Sequence, residues 1–546
     1  MLSFDLIYGY KDCRIMLKGE NIMINYVTDY KYIENDGLKL FTVILLPEPA
    51  GKFPTVIVRT PYVDRFENEK EENIAIAYLN ENKEWLNRGY AVVIQHCRGR
   101  GKSEGDCIPY INEREDGLNL QEWVRKQSFY NGEIFLKGGS YLTSVHYATA
   151  PFADDIKGAI FGVQDSERYN ICYRNGFLKK ALHGSWYVGM YKAKSHMKKN
   201  YTIGSFDMLP MKEFTKTVFG ESAEDFDEML KAPNPDHEFW NTRFGGNDAR
   251  NATKNVKFPV LFTTGFYDIY TGGIFDMWKN MSEDSRNMSA LVVSPYDHGD
   301  RYDLENAIMF PNGKRVEEFG ELYEIEWFDY IRRKNAKSPF ETGKITYYNL
   351  FKNEWETDKF VVSSDTTKIK LGNSEVSYVY NPYDAPGFKG GLSRTFGGAA
   401  FQDKPNSRHD IISVYTNPFE EDVCVKGKMS AKLSVKSDCE DTCFYIRVSI
   451  EKEQGDYGLR DDITSLCYQL GDYKPNTVVE VNFDFDEHAF LMKKGERLRV
   501  DISSADNEHY VRHTNQKGLY SEQTTAKIAH NTVYLQNSFL TLPVNK

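Results

Sequence analysis

The chain has 546 residues, 41% of them hydrophobic, 27% charged and 14% aromatic, with a net charge of −11 and a pI near 5.6. That length exceeds a single hydrophobic core and implies two to four domains. The acidic balance speaks against a nucleic-acid binder, whose Lys and Arg gather into a basic stripe.

Lys198-Lys199 and Arg332-Arg333-Lys334 are too short to alter this, and no stretch approaches the roughly 18 apolar residues of a membrane span. The N-terminus, Met1 to Asp12, carries an acid within its apolar part and has neither a basic lead nor a small-residue cleavage site, so it does not read as a secretory signal. A cytoplasmic location is expected, with no nucleic-acid or membrane partner. Eight cysteines are scattered at 13, 97, 107, 172, 424, 439, 443 and 467, and reduced thiols are expected. Cys439 and Cys443 lie closest together but lack a second pair at zinc-finger spacing, so no metal is expected there.

Residues 1 to about 30 show no clear period. Strand-like text begins after the turn Asn35-Asp36-Gly37, with Leu38 to Leu46, then Pro54 to Arg59 and Gly89 to Gln95. Their unalternating β-branched runs suit a sheet covered on both faces. Between the second and third, residues 68 to 88 carry Ile74, Ala77, Tyr78, Trp85 and Leu86 at amphipathic-helix spacing. Strand and helix continue to alternate through a helix at Asp116 to Lys126, a strand at Ile134 to Leu136, a helix at Tyr141 to Ala150 and a strand at Lys157 to Gly162, the mark of an α/β sheet.

From 163 to 253 the strand signal disappears and the text becomes aromatic, basic and helix-like, which reads as an insertion. Strands return at Pro259 to Thr264 and Ala290 to Ser294, followed by a helix at Glu317 to Arg333. Residues 345 to 384 read as a link. Beyond about 410, the segments Lys426 to Val435, Phe444 to Glu451, Val478 to Phe485, Arg497 to Ser503 and Thr532 to Leu542 read as antiparallel strands of a β-sandwich or jelly roll.

Chemistry enters at Gly138-Gly139-Ser140-Tyr141, where an apolar strand stops and a helix resumes. The glycines permit a tight strand-to-helix turn that would expose the Ser140 hydroxyl. Leu142 stands where the last glycine of a nucleophile elbow would be, and a Gly-Gly-Ser turn of purely structural role accounts equally well for these residues alone.

A serine becomes nucleophilic only beside a base, and the base works best when a carboxylate orients it. Two strand ends supply them in the order Ser, Asp, His: Asp268 follows the strand at 259–264, and His298 follows the strand at 290–294. Of eleven histidines, only His298 sits just past a buried strand in the later half of the α/β region. His96 precedes Ser140, and His146 lies on the following helix in a packed or solvent-facing role. Asp268 is preferred to Asp297 as the acid because an adjacent side chain rarely folds back onto the imidazole. Asp297 and Asp300 remain candidates for raising the imidazole pKa or drawing a cationic group.

These residues resemble the cocaine esterase and glutaryl-7-aminocephalosporanic acid acylase family, related to bacterial X-prolyl dipeptidyl peptidases and α-amino acid ester hydrolases. The matching segments are Asn35 to Leu40, Arg59-Thr-Pro-Tyr62, Gln95 to Gly105 with its Arg-Gly-Arg-Gly run, Asp116 with Trp123 and Asn131-Gly132, Gly138 to Leu142, and Gly495 to Ser504.

The resemblance implies an α/β-hydrolase fold with a helical cap and a C-terminal jelly roll. It implies Ser140 as nucleophile, His298 as base, Asp268 as acid, and an oxyanion hole made by the Tyr62 hydroxyl and the Tyr141 backbone N–H. The sequence departs from the family at Thr143, where glycine is usual, and at Tyr296-Asp297. For Arg98 to Gly105, a turn braced by Arg98 and Arg100 is expected rather than a phosphate loop.

The resulting division is 1–162 and 254–344 for the hydrolase domain, 163–253 for the cap and 345–546 for the β-sandwich. The reading is a serine hydrolase without cofactor or metal, cleaving an ester or amide of a small acyl substrate through an acyl-enzyme. The alternative is an X-prolyl dipeptidyl peptidase or amino-acid ester hydrolase, for which Asp165 and Glu167 would bind a free amino group. A third reading is a non-catalytic binding protein on the same scaffold. The oligomeric state, including a homo-oligomer, stays open.

Overall fold

A computed structural model describes residues 26–545 apart from 166, 193–200, 243–252, 300–307, 362–364 and 392–396. The N-terminal segment to residue 25, Lys198-Lys199 and Asp300 lie outside the described residues. No helix among them is long and apolar enough to cross a membrane.

The larger part is built on one ten-stranded sheet. Its strands are β1 (Val27–Asn35), β2 (Leu38–Leu46), β3 (Phe53–Thr60), β4 (Ala91–His96), β5 (Tyr130–Gly139) and β6 (Ile156–Gly162). After a two-stranded ribbon, β7 (Tyr173–Arg174) and β8 (Phe177–Leu178), the sheet resumes with β9 (Val260–Gly265), β10 (Ala290–Ser294), β11 (Ile345–Asn349) and β12 (Glu354–Asp358).

The spatial order is β1-β2-β4-β3-β5-β6-β9-β10-β11-β12. The run from β4 through β11 is parallel, and antiparallel pairs close both edges. Every residue of β4, β9 and β10 is buried, as expected for central strands sandwiched between helices. This is an α/β-hydrolase sheet, and the carboxyl ends of β5, β9 and β10 open on the same side.

Several elements differ from the sequence expectation. β1 pairs along its whole length with β2, although its half-exposed edge text gave no period. The helix expected over 68–88 is two helices, α1 (Glu71–Glu81) and α2 (Lys83–Asn87), broken at Asn82, whose side-chain amide bonds the Tyr78 carbonyl. The helix expected over 317–333 likewise splits into Arg315–Phe319 and Tyr323–Arg332, because Gly320 sits at φ 81° between them. Residues 345–358 are not a link or part of the second domain, since β11 and β12 extend the hydrolase sheet.

Between β6 and β9 the chain forms short helices, among them Arg168–Cys172, Ser185–Met190, Phe214–Phe219 and Glu224–Met229, around an aromatic core that they share with Tyr110, Tyr141 and Tyr270. The β7–β8 ribbon lies within this otherwise helical segment.

The C-terminal part is two antiparallel sheets face to face, one of six strands and one of four. Two corrections apply here. The single strand expected over 532–542 is two, Ala529–Tyr534 and Phe539–Asn545, separated by a turn at Leu535–Asn537. The strand Gly455–Ser465 had no apolar signature because it buries charges, and these are paired: Arg447 bonds Asp461 at 2.7 Å, and Arg174 bonds Asp462 at 2.7 Å.

This part is bonded to the hydrolase sheet through backbone. Leu350 N–H donates to the Ala489 carbonyl, and Leu491 N–H donates to the Leu350 carbonyl. Arg460 reaches the carbonyl of Phe266, and the Tyr267 hydroxyl donates to the Gly458 carbonyl at 2.7 Å.

Candidate active site

Ser140 lies between β5 and the helix α4 (Tyr141–Tyr147), after α3 (Glu113–Arg125), at φ 57° and ψ −131°. A non-glycine residue held there costs on the order of 1–3 kcal/mol, sustained only where surrounding contacts over-determine it. The strain therefore falls on Ser140 itself. Gly138 and Gly139 both keep negative φ, and they differ in role. A Cβ on Gly138 would come within 2.4 Å of the Leu142 carbonyl oxygen, whereas at Gly139 the nearest atom is 3.7 Å away. Gly138 is needed so that α4 can pack against the strand it leaves.

Backbone and side-chain hydrogen bonds hold the turn. Ser140 N–H donates to the Gly162 carbonyl at 2.9 Å. The buried Thr143 hydroxyl lies 2.9 Å from both the Gly138 and Gly162 carbonyls and accepts from Gly162 N–H at 3.0 Å. Thr143, where the sequence departs from its relatives, thus clamps the ends of β5 and β6 with a hydroxyl that a glycine would lack.

Asp268 follows β9 and is fully buried. One carboxylate oxygen accepts from Tyr270 N–H at 2.7 Å, and the other lies 2.9 Å from His298 Nδ1. The Tyr270 ring meets the imidazole edge-on, 5.6 Å between centroids. This geometry points Nε2 of His298 away from the acid. Asp297 instead accepts from Gly299 N–H at 3.1 Å.

Ser140 and His298 line one cleft of about 380 Å³ together with Tyr62, Tyr110, Gly139, Tyr141, Val163, Gln164, Leu182, His183, Trp186 and Tyr270. The Ser140 hydroxyl makes no hydrogen bond among the described residues, and such catalytic contacts often tighten only when substrate is bound.

Tyr62 stands at the rim, 39% exposed, and its hydroxyl receives Trp186 Nε1–H at 3.3 Å. The Tyr141 amide opens the first turn of α4, where backbone N–H groups lack intrahelical partners.

Both positions rest on a buried network of which the sequence reading anticipated only the brace formed by Arg98 and Arg100. Arg59, 1% exposed, donates to Gln95 and to both the carbonyl and the carboxylate of Glu113. Glu113 in turn accepts from the Tyr141 hydroxyl at 2.7 Å, and that hydroxyl accepts from Tyr110 N–H at 2.7 Å. Arg98 pairs with Asp116, while Arg100 donates to the Pro61 carbonyl immediately before Tyr62. The Arg-Gly-Arg run was the available signal for this scaffolding. Glu113 carried none, being one of three acids in a helix's first turn.

Burial sorts the other histidines. His146 bonds the Lys137 carbonyl and is pushed down to about 3 by desolvation and by Arg59. His96 is enclosed against Tyr78, Phe66 and Phe41. Neither Asp165 nor Glu167 is among the lining residues. Asp165 is buried behind the cleft, pressed against Gly273, and accepts from Glu167 N–H at 2.8 Å. Desolvation pushes its carboxyl up to about 7, against the opposing pull of that N–H and of Lys179. Among the described residues no group of three or more His, Cys, Asp or Glu side chains is placed to hold a metal.

Residues 36–300 match the model of the X-Pro dipeptidyl-peptidase (S15) family, and residues 363–540 match that family's C-terminal non-catalytic domain. The chain belongs to this family of serine hydrolases.

A curated relative, the cocaine esterase of Rhodococcus sp. strain MB1 Bresler, is 23% identical over 557 residues, spanning 89% of this chain and 92% of that protein. Among solved structures, an α-amino acid ester hydrolase superposes with a TM-score of 0.80 at 19% identity, covering 95% of this chain and 97% of the other. A CocE/NonD family hydrolase from Staphylococcus aureus gives 0.67 at 16% identity, covering 100% and 99%. At such identities the superpositions speak for the fold. The family places the activity on ester or amide bonds.

Proposed function

We propose that this hydrolase cleaves a small uncharged acyl ester or amide, with Ser140 as nucleophile, His298 as general base and Asp268 as the orienting acid. The observation that carries this reading is the strained Ser140 turn opening into the cleft that also holds an imidazole anchored through Nδ1 on a buried carboxylate.

His298 Nε2 takes the Ser140 proton as Oγ bonds to the substrate carbonyl carbon. The former carbonyl oxygen becomes an oxyanion, met by the Tyr62 hydroxyl and the Tyr141 N–H. The tetrahedral centre then collapses, His298 returns the proton to the departing alcohol or amine, and water repeats the sequence to release the acid. Oxyanion donors of this kind are worth about 3–4 kcal/mol each where one has been removed.

The division of the chain forms part of the proposal, with 163–253 as the cap over the cleft and the hydrolase sheet extended to residue 358.

A second reading, dipeptidyl peptidase activity, is favoured by the name of the matching family model. It requires a carboxylate in the cleft to hold a free α-amino group, and among the described residues none lines it. Asp165, the nearest candidate, is buried and readily protonated.

A fluorophosphonate probe should label Ser140, and p-nitrophenyl acyl esters should be cleaved far faster than Ala-Pro-p-nitroanilide. Efficient cleavage of the anilide alone would reverse the ranking of the two readings.

A further inference from the structure

Among the polar side chains that the cap contributes to the cleft, Gln164, His183 and Trp186, His183 differs from the other two. His183 sits in a π-helical turn, Lys180–Gly184, a form that recurs at functional sites because its extra residue redirects a side chain. Only 1% exposed, it forms part of the wall facing Ser140, and its ring packs 5.9 Å from Trp186 and 6.0 Å from Tyr187. Its Nε2 is enclosed and has no hydrogen-bond partner among the described residues.

An enclosed polar atom left unpaired costs about 1–3 kcal/mol. The amide side chain that lines the cleft is already satisfied: Gln164 donates to Ser144 Oγ at 2.8 Å and accepts from Asp165 N–H at 3.0 Å. The remaining walls are aromatic or aliphatic. His183 is thus the one lining side chain of the cap whose hydrogen-bonding capacity is unspent.

We propose that His183 is a specificity-determining residue, and that it selects substrates carrying a neutral hydrogen-bonding group, such as a hydroxyl, close to the scissile bond. The inference rests on the hydrolase reading of the preceding subsection.

The partner is neutral because the ring is neutral. Desolvation, with Arg168 and Lys179 nearby, holds its pKa well below the ordinary range. An imidazole in that state offers one donor and one acceptor, and a hydroxyl can meet either. A carboxylate would meet no positive charge on the lining side chains, and an ammonium would meet no negative charge.

Two shape-matched substrate pairs test this. For the acyl side, p-nitrophenyl 3-hydroxybutyrate is compared with p-nitrophenyl 3-methylbutyrate, which replaces the hydroxyl by a methyl. For the leaving-group side, 3-hydroxypropyl acetate is compared with butyl acetate.

In the wild-type protein the hydroxyl member of at least one pair should win in kcat/KM. In His183→Phe that preference should fall about tenfold, the effect of losing roughly 1.4 kcal/mol. His183→Asn, which keeps a donor and an acceptor, should restore part of it. A merely structural role would lower both members of a pair equally.

The proposal is overturned if His183→Phe keeps the wild-type preference, or if wild type shows none in either pair, a result that needs no folded variant. Wild type with no turnover of any ester and no fluorophosphonate adduct would overturn both this inference and the hydrolase reading. Turnover without a hydroxyl preference overturns this one alone.

Discussion

The two walls of the cleft are built to opposite rules. On the sheet side, the polar groups that set the geometry are paired. The Ser140 N–H, the Thr143 hydroxyl, both oxygens of Asp268 and the Tyr141 phenol each have a protein partner, and Glu113, paired with Arg59, holds the Tyr141 phenol from beneath. On the cap side, His183 Nε2 in the wall and the Tyr187 hydroxyl behind it are enclosed and have no hydrogen-bond partner among the described residues. Pre-organised donors aimed at a developing charge must be fixed before reaction begins, whereas a surface that recognises substrate gains by keeping hydrogen-bonding capacity for it. The comparison separates a reacting wall from a reading wall.

Substitutions should separate them too. The largest effect belongs to Ser140→Ala, where kcat/KM for a p-nitrophenyl ester should fall by about 10⁴-fold or more with the melting temperature little changed. A smaller loss would show that the reacting wall does not depend on its nucleophile.

Glu113→Gln should come next. It removes one partner of a buried ion pair and weakens the support of Tyr141, for a stability loss on the order of 3 kcal/mol read by urea or thermal unfolding. Tyr62→Phe should lower kcat by about 10²- to 10³-fold with little change in KM. An equal rise in KM would reassign Tyr62 to ground-state binding.

Asp165→Asn tests the shell behind the reading wall. The native carboxyl titrates near 7, above its ordinary value of 3.8. Between about pH 4 and 7 the unfolded chain has therefore lost a proton that the native state keeps, so wild-type stability from this group falls as pH rises and levels off above 7. The variant does not titrate. Its stability relative to wild type should grow by about 3 kcal/mol from pH 4.5 to 7.5 and then stay nearly flat. Flat behaviour across the whole range would contradict the burial argument. The smallest effect is expected for Tyr187→Phe, which deletes an unpaired hydroxyl and should leave stability unchanged or raise it by under about 1 kcal/mol.

The placement of the proposed reacting wall was largely legible in the sequence, because Ser140, Asp268 and His298 stand just past strands that announce themselves. Pro54 to Arg59, Gly89 to Gln95, Lys157 to Gly162 and Ala290 to Ser294 fall within two residues of the observed strands, since continuous β-branched text has few other uses. Asp268 and His298 were placed by counting from such ends.

What escaped was decided by tertiary pairing. The strand at 455–465 hides behind Arg460, Asp461 and Asp462, polar in text yet buried, the two acids in ion pairs and Arg460 on backbone carbonyls. Glu113 could not be told from its neighbours, because its role depends on Tyr141 arriving from a distant element. The reading wall was least legible, because short aromatic helices carry no long period, and the unpaired state of His183 exists only in three dimensions. Asp165 and Glu167 were sought there for their charge, and Asp165 instead turns away against Gly273.

The bonds from the β-sandwich to Phe266 and Tyr267 bear on how the protein can be taken apart. Arg460 and the Gly458 carbonyl grip the two residues just before Asp268, and the His488 ring stacks on Phe266 at 4.9 Å. The family model calls the C-terminal domain non-catalytic, yet here it is a splint on the loop that carries Asp268. Such a domain is not interchangeable cargo. A chimera that grafts another β-sandwich onto this hydrolase sheet would need to bring its own equivalents of Arg460 and His488, or the loop would be left without its brace.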